Sequence, residues 1–218
     1  MIDDNLKSVR QRIATCCERS GRSIDEVKLI AVTKEASTED ADMVLSLGVK
    51  DIGENRVQDA AIKYGAIGER ASWHMIGHLQ TNKVKDAVRI FSLIHSVDSV
   101  RLAEVINKEA SKIGKAQDIL VQVNVSGEAS KSGVEPDQAA ELIKKISACK
   151  NVRVRGLMTI APESEDPESS RPYFKVLSEL QDRIGGLPEL SIGMTGDFEV
   201  AIEEGATMVR VGRAIFSV

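Results

Sequence analysis

Short apolar runs and helical stretches take turns along the whole chain, and this alternation limits the folds open to it. "KLIAVTK" (28–34), "VKDIGEN" (49–55), "SWHMIG" (72–77), "SLIHSVDS" (92–99), "DILVQVNVS" (118–126), "VRVRGLMTI" (152–160), "LSIGMT" (190–195) and "TMVRVGRAIF" (207–216) read as strands. Helices are predicted over 3–19, 38–47, 55–64, 79–88, 100–113, 136–148, 167–184 and 197–204. The first carries Leu6, Val9, Ile13 and Cys16 at helical spacing. Thr38 as N-cap and Gly48 as stop frame the second. Strands alternating with helices argue for a parallel sheet. About eight such units in 218 residues suit one closed (β/α)8 barrel of the TIM type better than an open doubly wound sheet. No linker, low-complexity tract or repeat breaks the chain, so 1–218 reads as one domain with an N-terminal helix at about 3–20. "APESEDPESSRP" (161–172) is the one long polar stretch and reads as a solvated connection.

Composition narrows the function classes. A net charge of −4 gives no reason to expect nucleic acid or an anionic membrane. Aromatics at 3% leave little surface for base stacking. No apolar run approaches the ~20 residues of a membrane span. "MIDDNLKSVRQR" has charges where a signal peptide would be apolar, so a cytoplasmic location is expected. Cys16, Cys17 and Cys149 lack metal-site spacing and read as packing residues on helices.

In such a barrel chemistry gathers at the C-terminal ends of the strands. Lys34 ends the first strand, and Glu54 and Asn55 end the second. His74 and Lys83 belong to the third segment, and Asn124, Ser130, Lys131 and Ser132 follow the fifth. Met158 and Thr159 close the sixth; Met194, Thr195 and Asp197 close the seventh; Arg210, Gly212 and Arg213 close the eighth. Gly193 and Gly196 allow a tight turn, Thr195 offers a hydroxyl, and the amides opening the next helix favour an anion. Asp197 suits such a site only if its side chain caps the helix and faces away. A phosphate between the last two strands recurs in barrels of this kind. A partly desolvated lysine has a lowered pKa and becomes nucleophilic, so Lys34 could form an imine with an aldehyde. Pyridoxal phosphate carries both an aldehyde and a phosphate. Arg210 would face the same side as Gly212 and donate to the pyridine nitrogen, keeping it unprotonated. The plainer reading of Lys34 is a partner for a neighbouring carboxylate. Glu54 is expected to pair with a lysine or arginine. His74 and His78 have helical spacing on a strand-end segment without a third ligand, so no metal is expected.

"AVTK", "GENRVQD", "WHMIGHLQTNK", "ILVQVNVSGEASKSGV", "VRGLMTI" and "SIGMTGDFEVAIEEGATMVRVGRAIF" follow one another in order. In this the chain closely resembles the pyridoxal phosphate homeostasis proteins, which are similar to the barrel domain of alanine racemase. The resemblance implies an alanine racemase N-terminal-domain-like barrel, the type III fold of pyridoxal phosphate proteins. It implies Lys34 as the aldimine lysine, Asn55 beside the cofactor, and Thr195, Gly212 and Arg213 on the phosphate. Arg210 would face the ring nitrogen, and Met194 would complete the cofactor-binding set. His74, Ser132 and Met158 would line the mouth. Many relatives have serine at Thr195, which keeps the hydroxyl, and some have a small hydroxyl residue at Arg213. The implied function is to hold the cofactor for vitamin B6 homeostasis without efficient turnover, as a monomer. Partners would be pyridoxal phosphate, with amino acids or apo-enzymes that use it. The alternative, an amino-acid racemase, needs a second acid/base opposite Lys34. In alanine racemases that group is a tyrosine from an extra domain and a partner subunit. Tyr64 and Tyr173, the only tyrosines here, fall on helices outside the barrel. An unrelated phosphosugar barrel would not share six motifs.

Overall fold

Strand β1 (Lys28–Val32) pairs in parallel with both β2 (Asp51–Glu54) and β8 (Met208–Val211), and so closes the sheet on itself. Strands β3 (Ser72–Met75), β4 (Leu93–Val97), β5 (Gln117–Gln122), β6 (Val152–Met158) and β7 (Glu189–Met194) complete an eight-stranded parallel barrel in chain order. The computed structural model describes residues 1–128 and 131–217. Helices α1 (Ile2–Arg19), α2 (Thr38–Ser46), α3 (Val57–Ile67), α4 (Val84–Ile90) and α5 (Val100–Lys112) belong to the first half. Helices α6 (Ala139–Ile146), α7 (Arg171–Ile184), α8 (Phe198–Glu203) and α9 (Arg213–Phe216) belong to the second.

Period two sorts the strand residues. Ile30, Leu93, Leu120, Met158 and Met208 form a small core of their own inside the barrel. Their neighbours Ala31, Ile94, Ile119, Leu157 and Val209 join the larger core that includes the helices. Leu29–Val32 of β1 and Ile119–Val121 of β5 are covered on both faces, and there the strands read as unbroken apolar runs. The alternation slips once near the site. Ser191 pairs with Met208 and Met194 with Arg210, so β7 advances three residues while β8 advances two. Gly193 carries the bulge at φ 85°. A Cβ there would sit 2.5 Å from that of Ala201 in α8, so only glycine fits.

Several boundaries differ from the expected ones. β1 ends at Val32, leaving Thr33 outside the strand and Lys34 in a turn. The last strand stops at Val211, and "RAIF" is the short helix α9. Its apolar residues mimic a strand because Ile215 packs into the core from a single turn. Residues 81–83 and 136–138 form 3-10 turns before α4 and α6. Ser37, not Thr38, caps α2, accepting the Asp40 N–H at 3.0 Å. The three cysteines are buried and unpaired, Cys16 and Cys17 on α1 and Cys149 just after α6.

Helix α1 lies outside the barrel against α8 and α9, with Leu6, Val9, Ile13, Cys16 and Cys17 buried. Arg12 adds a two-pronged contact to Glu199, at 2.9 and 2.7 Å. Its guanidinium also stacks over Phe198, 4.5 Å from the ring centre. The hydrogen bond from Arg12 holds the Glu199 carboxyl below its ordinary 4.5, burial opposing. A depressed carboxylate stabilises the fold above its unfolded pKa and loses that contribution as pH falls through the folded one. Arg12→Leu is expected to cost up to about 1 kcal/mol in urea unfolding at neutral pH. The gap to the parent chain should shrink as pH drops below the 4.5 at which unfolded Glu199 titrates.

Candidate functional site

The strand ends enclose one cavity of about 740 Å3, a size typical of small-molecule sites. Lys34, Asn55, Met194, Thr195, Arg210, Gly212 and Arg213 all line it, as do Asn124, Lys131, Ser132 and Thr159.

Lys34 stands at the rim. Its side chain is 44% exposed, and its amine lies 3.4 Å from the Glu35 carboxylate. The expected partial desolvation is therefore small, because the residue sits on a turn beyond the strand. Firmness comes from the residue before it. The Thr33 hydroxyl donates to Glu54 at 2.6 Å, and the Lys63 amine, from α3, donates to both Glu54 at 2.7 Å and the Thr33 carbonyl. Glu54 is fully buried and Lys63 nearly so. Glu54 thus pairs with a lysine, as expected. The Asn55 backbone passes so close to Gly77 that any Cβ there would collide with it.

Arg210 forms the floor. It is 4% exposed, and its Nη1 and Nη2 donate to Ser191 Oγ at 2.6 Å and the Thr159 carbonyl at 2.8 Å. Burial pulls its pKa down to about 10, with Asp197 opposing, so it stays cationic at neutral pH. Asp197 lines the cavity as well, and at the N-cap position of α8 its side chain makes no capping bond to the helix. Its carboxylate accepts the Met194 N–H at 2.7 Å and the Ser170 hydroxyl at 2.9 Å, pinning the turn after β7. Thr195 Oγ1 accepts the Ala214 N–H at 3.4 Å, joining that turn to α9. The Arg213 guanidinium is largely exposed, 3.7 Å from Glu163.

Two expected mouth residues lie elsewhere. His74 is 2% exposed, inside the barrel, bonded to Asp51 and His95, and does not line the cavity. β3 runs only to Met75, so Ile76, Gly77 and His78 form the rim while His74 falls one layer lower. Met158 belongs to the apolar core under the cavity, because the inward position it fills is mid-barrel. Lys83 sits on the 3-10 turn before α4, away from the cavity. Ser130 lies outside the described residues. The polar stretch after β6 is more than a connection: Ala161, Pro162, Glu163 and Ser164 form one wall. Gln122 of β5 was also not anticipated as a lining residue; its inward parity with Leu120 was the available signal. Among the described residues no group of histidines, cysteines and carboxylates could hold a metal.

Comparison with known proteins adds a second line. Residues 5–218 match the family model described as "Alanine racemase, N-terminal domain". The pyridoxal phosphate homeostasis protein of Aquifex aeolicus is 47% identical over 219 residues, covering 98% of this chain and 96% of its own. The chain belongs to the pyridoxal phosphate homeostasis protein family. PipY of Synechococcus elongatus, solved with PLP bound, is similar at a TM-score of 0.84 and 32% identity, with 100% of both chains covered. Alanine racemase of Clostridium difficile has a TM-score of 0.76 at 16% identity, with 98% of this chain and 56% of that one covered. That likeness carries the fold alone.

Breaking a buried ion pair leaves one charge unsatisfied, whereas replacing both partners need not. Lys63→Met is expected to cost about 3–5 kcal/mol in denaturant unfolding. The double variant Lys63→Met/Glu54→Leu should recover most of that loss.

Proposed function

We propose that the chain holds pyridoxal phosphate in this cavity, attached through Lys34, and serves intracellular vitamin B6 homeostasis without efficient turnover. One observation carries this reading: the seven residues expected from sequence to bind the cofactor all line a single cavity. The PLP bound by the full-length relative PipY supports it. The donor set fits the group. An amine stands at the rim, a buried guanidinium at the floor, and a hydroxyl with glycine-flanked turns between β7 and β8. Gly212 keeps that corner open, since a Cβ would come within 3.1 Å of the Val32 carbonyl.

When bound, pyridoxal phosphate supplies an aldehyde that condenses with an amine. Lys34 presents that amine at the rim, beside Glu35. Thr195, Gly212 and the backbone of Arg213 suit a phosphate, with the Arg213 side chain adding positive charge. Arg210 only donates hydrogen bonds. A pyridine nitrogen facing it stays unprotonated, and the ring then withdraws electrons weakly. That suits holding better than turnover.

The racemase alternative lacks its second acid/base of the tyrosine type. Tyr64 lies on α3 and Tyr173 on α7, both against the outer core and neither at the cavity. Residues 1–218 would act as one domain and as a monomer in the cytoplasm, with amino acids or apo-enzymes as further partners. Among the described residues no helix is long and apolar enough to cross a membrane.

The test is borohydride reduction of the cofactor-loaded protein followed by peptide mapping. A stable adduct on the Lys34 peptide is expected, with none in Lys34→Ala and an unchanged melting temperature. An adduct that persists in Lys34→Ala would remove this lysine from its role.

A further inference from the structure

The barrel interior contains a polar feature distinct from the strand ends. Arg210 Nη1 donates to Ser191 Oγ at 2.6 Å, and Ser191 Oγ lies 2.9 Å from His95 Nδ1. His95 Nε2 lies 2.9 Å from His74 Nδ1, and His74 Nε2 lies 2.9 Å from Asp51 Oδ1. The five side chains come from β8, β7, β4, β3 and β2, so the chain of bonds crosses the lumen. Ser191 and His95 are fully buried, and only Asp51, with 16% of its side chain exposed, reaches towards solvent.

With neutral imidazoles, the two ends dictate the protons between them. A guanidinium can only donate and a carboxylate can only accept. Ser191 therefore accepts from Arg210 and donates to His95 Nδ1. His95 carries its proton on Nε2 and donates to His74 Nδ1, and His74 carries its proton on Nε2 and donates to Asp51. Every link is satisfied with both imidazoles neutral, and all bond dipoles point the same way, which strengthens each.

We propose that Asp51, His74, His95 and Ser191 are positioning residues that hold the Arg210 guanidinium at the angle from which it meets a bound ring. This rests on the reading of Arg210 as the ring-facing group. Without Ser191, Arg210 keeps one anchor, the Thr159 carbonyl, about which it can pivot. The charged or titratable groups around His95 are His74, Arg210 and Lys28. Burial first, and then those three, hold His95 well below its ordinary value, which agrees with a neutral ring.

The chain has three histidines, one of them the exposed His78, so imidazole 15N NMR can resolve them. A neutral Nε2–H tautomer is expected at His95 at about pH 7.5. An imidazolium or an Nδ1–H form at His95 would overturn the proposal. In the cofactor-loaded protein, Ser191→Ala should raise the dissociation constant for pyridoxal phosphate about tenfold and move the absorption maximum of the bound cofactor. Ser191→Thr, which keeps the hydroxyl, should restore both. A normal parent spectrum with affinity and absorption unmoved in Ser191→Ala removes the positioning role alone. A parent chain that forms no Lys34 adduct removes the cofactor reading along with it.

Discussion

Closing eight parallel strands into a ring makes parity the governing constraint. Every second residue faces a lumen that must be filled by side chains, since eight strands leave room for little else. Here one part of the filling is apolar, from Ile30, Leu93, Leu120, Met158 and Met208. The other part is a bonded polar line from Asp51 to Arg210. A buried guanidinium is costly unless its donors are met. Ser191 and the Thr159 carbonyl meet two of them, and the cavity rests on that layer.

The cavity combines a rigid floor with a looser rim. Arg210 is locked by neighbours on two strands, whereas Lys34 extends from a turn into solvent. The turn itself is anchored from outside the barrel, through Thr33, Glu54 and Lys63. A fixed cation on β8 and an exposed amine just beyond the end of the adjacent β1 suit a ligand that is held at one end and attached at the other. The wall at 161–164 and the turn pinned by Asp197 also line the cavity.

Much of this was legible in the residues. The alternation of strand and helix implied a parallel barrel, and the polar groups at successive strand ends implied a common mouth. Other features are not local properties of the residues. His74 looked like a rim residue because the end of β3 cannot be located from composition; Met75 and Ile76 are both apolar. Met158 lay one layer deeper than expected for the same reason. "RAIF" read as strand because one buried turn of helix shows no period. Ser191 and His95 drew no notice because a lone serine and a lone histidine on apolar strands carry no local signature.

By itself the sequence determined the fold, the order of the strands and the family, because apolar periodicity and six motifs are local properties of the chain. Only the tertiary structure decided which polar residues meet. The slip at Gly193, the stagger of β3 against β4 and the closure of β8 onto β1 set which side chains share a layer. These are relations between strands far apart in sequence. Asp51, His74, His95, Ser191 and Arg210 become neighbours only once the ring has closed.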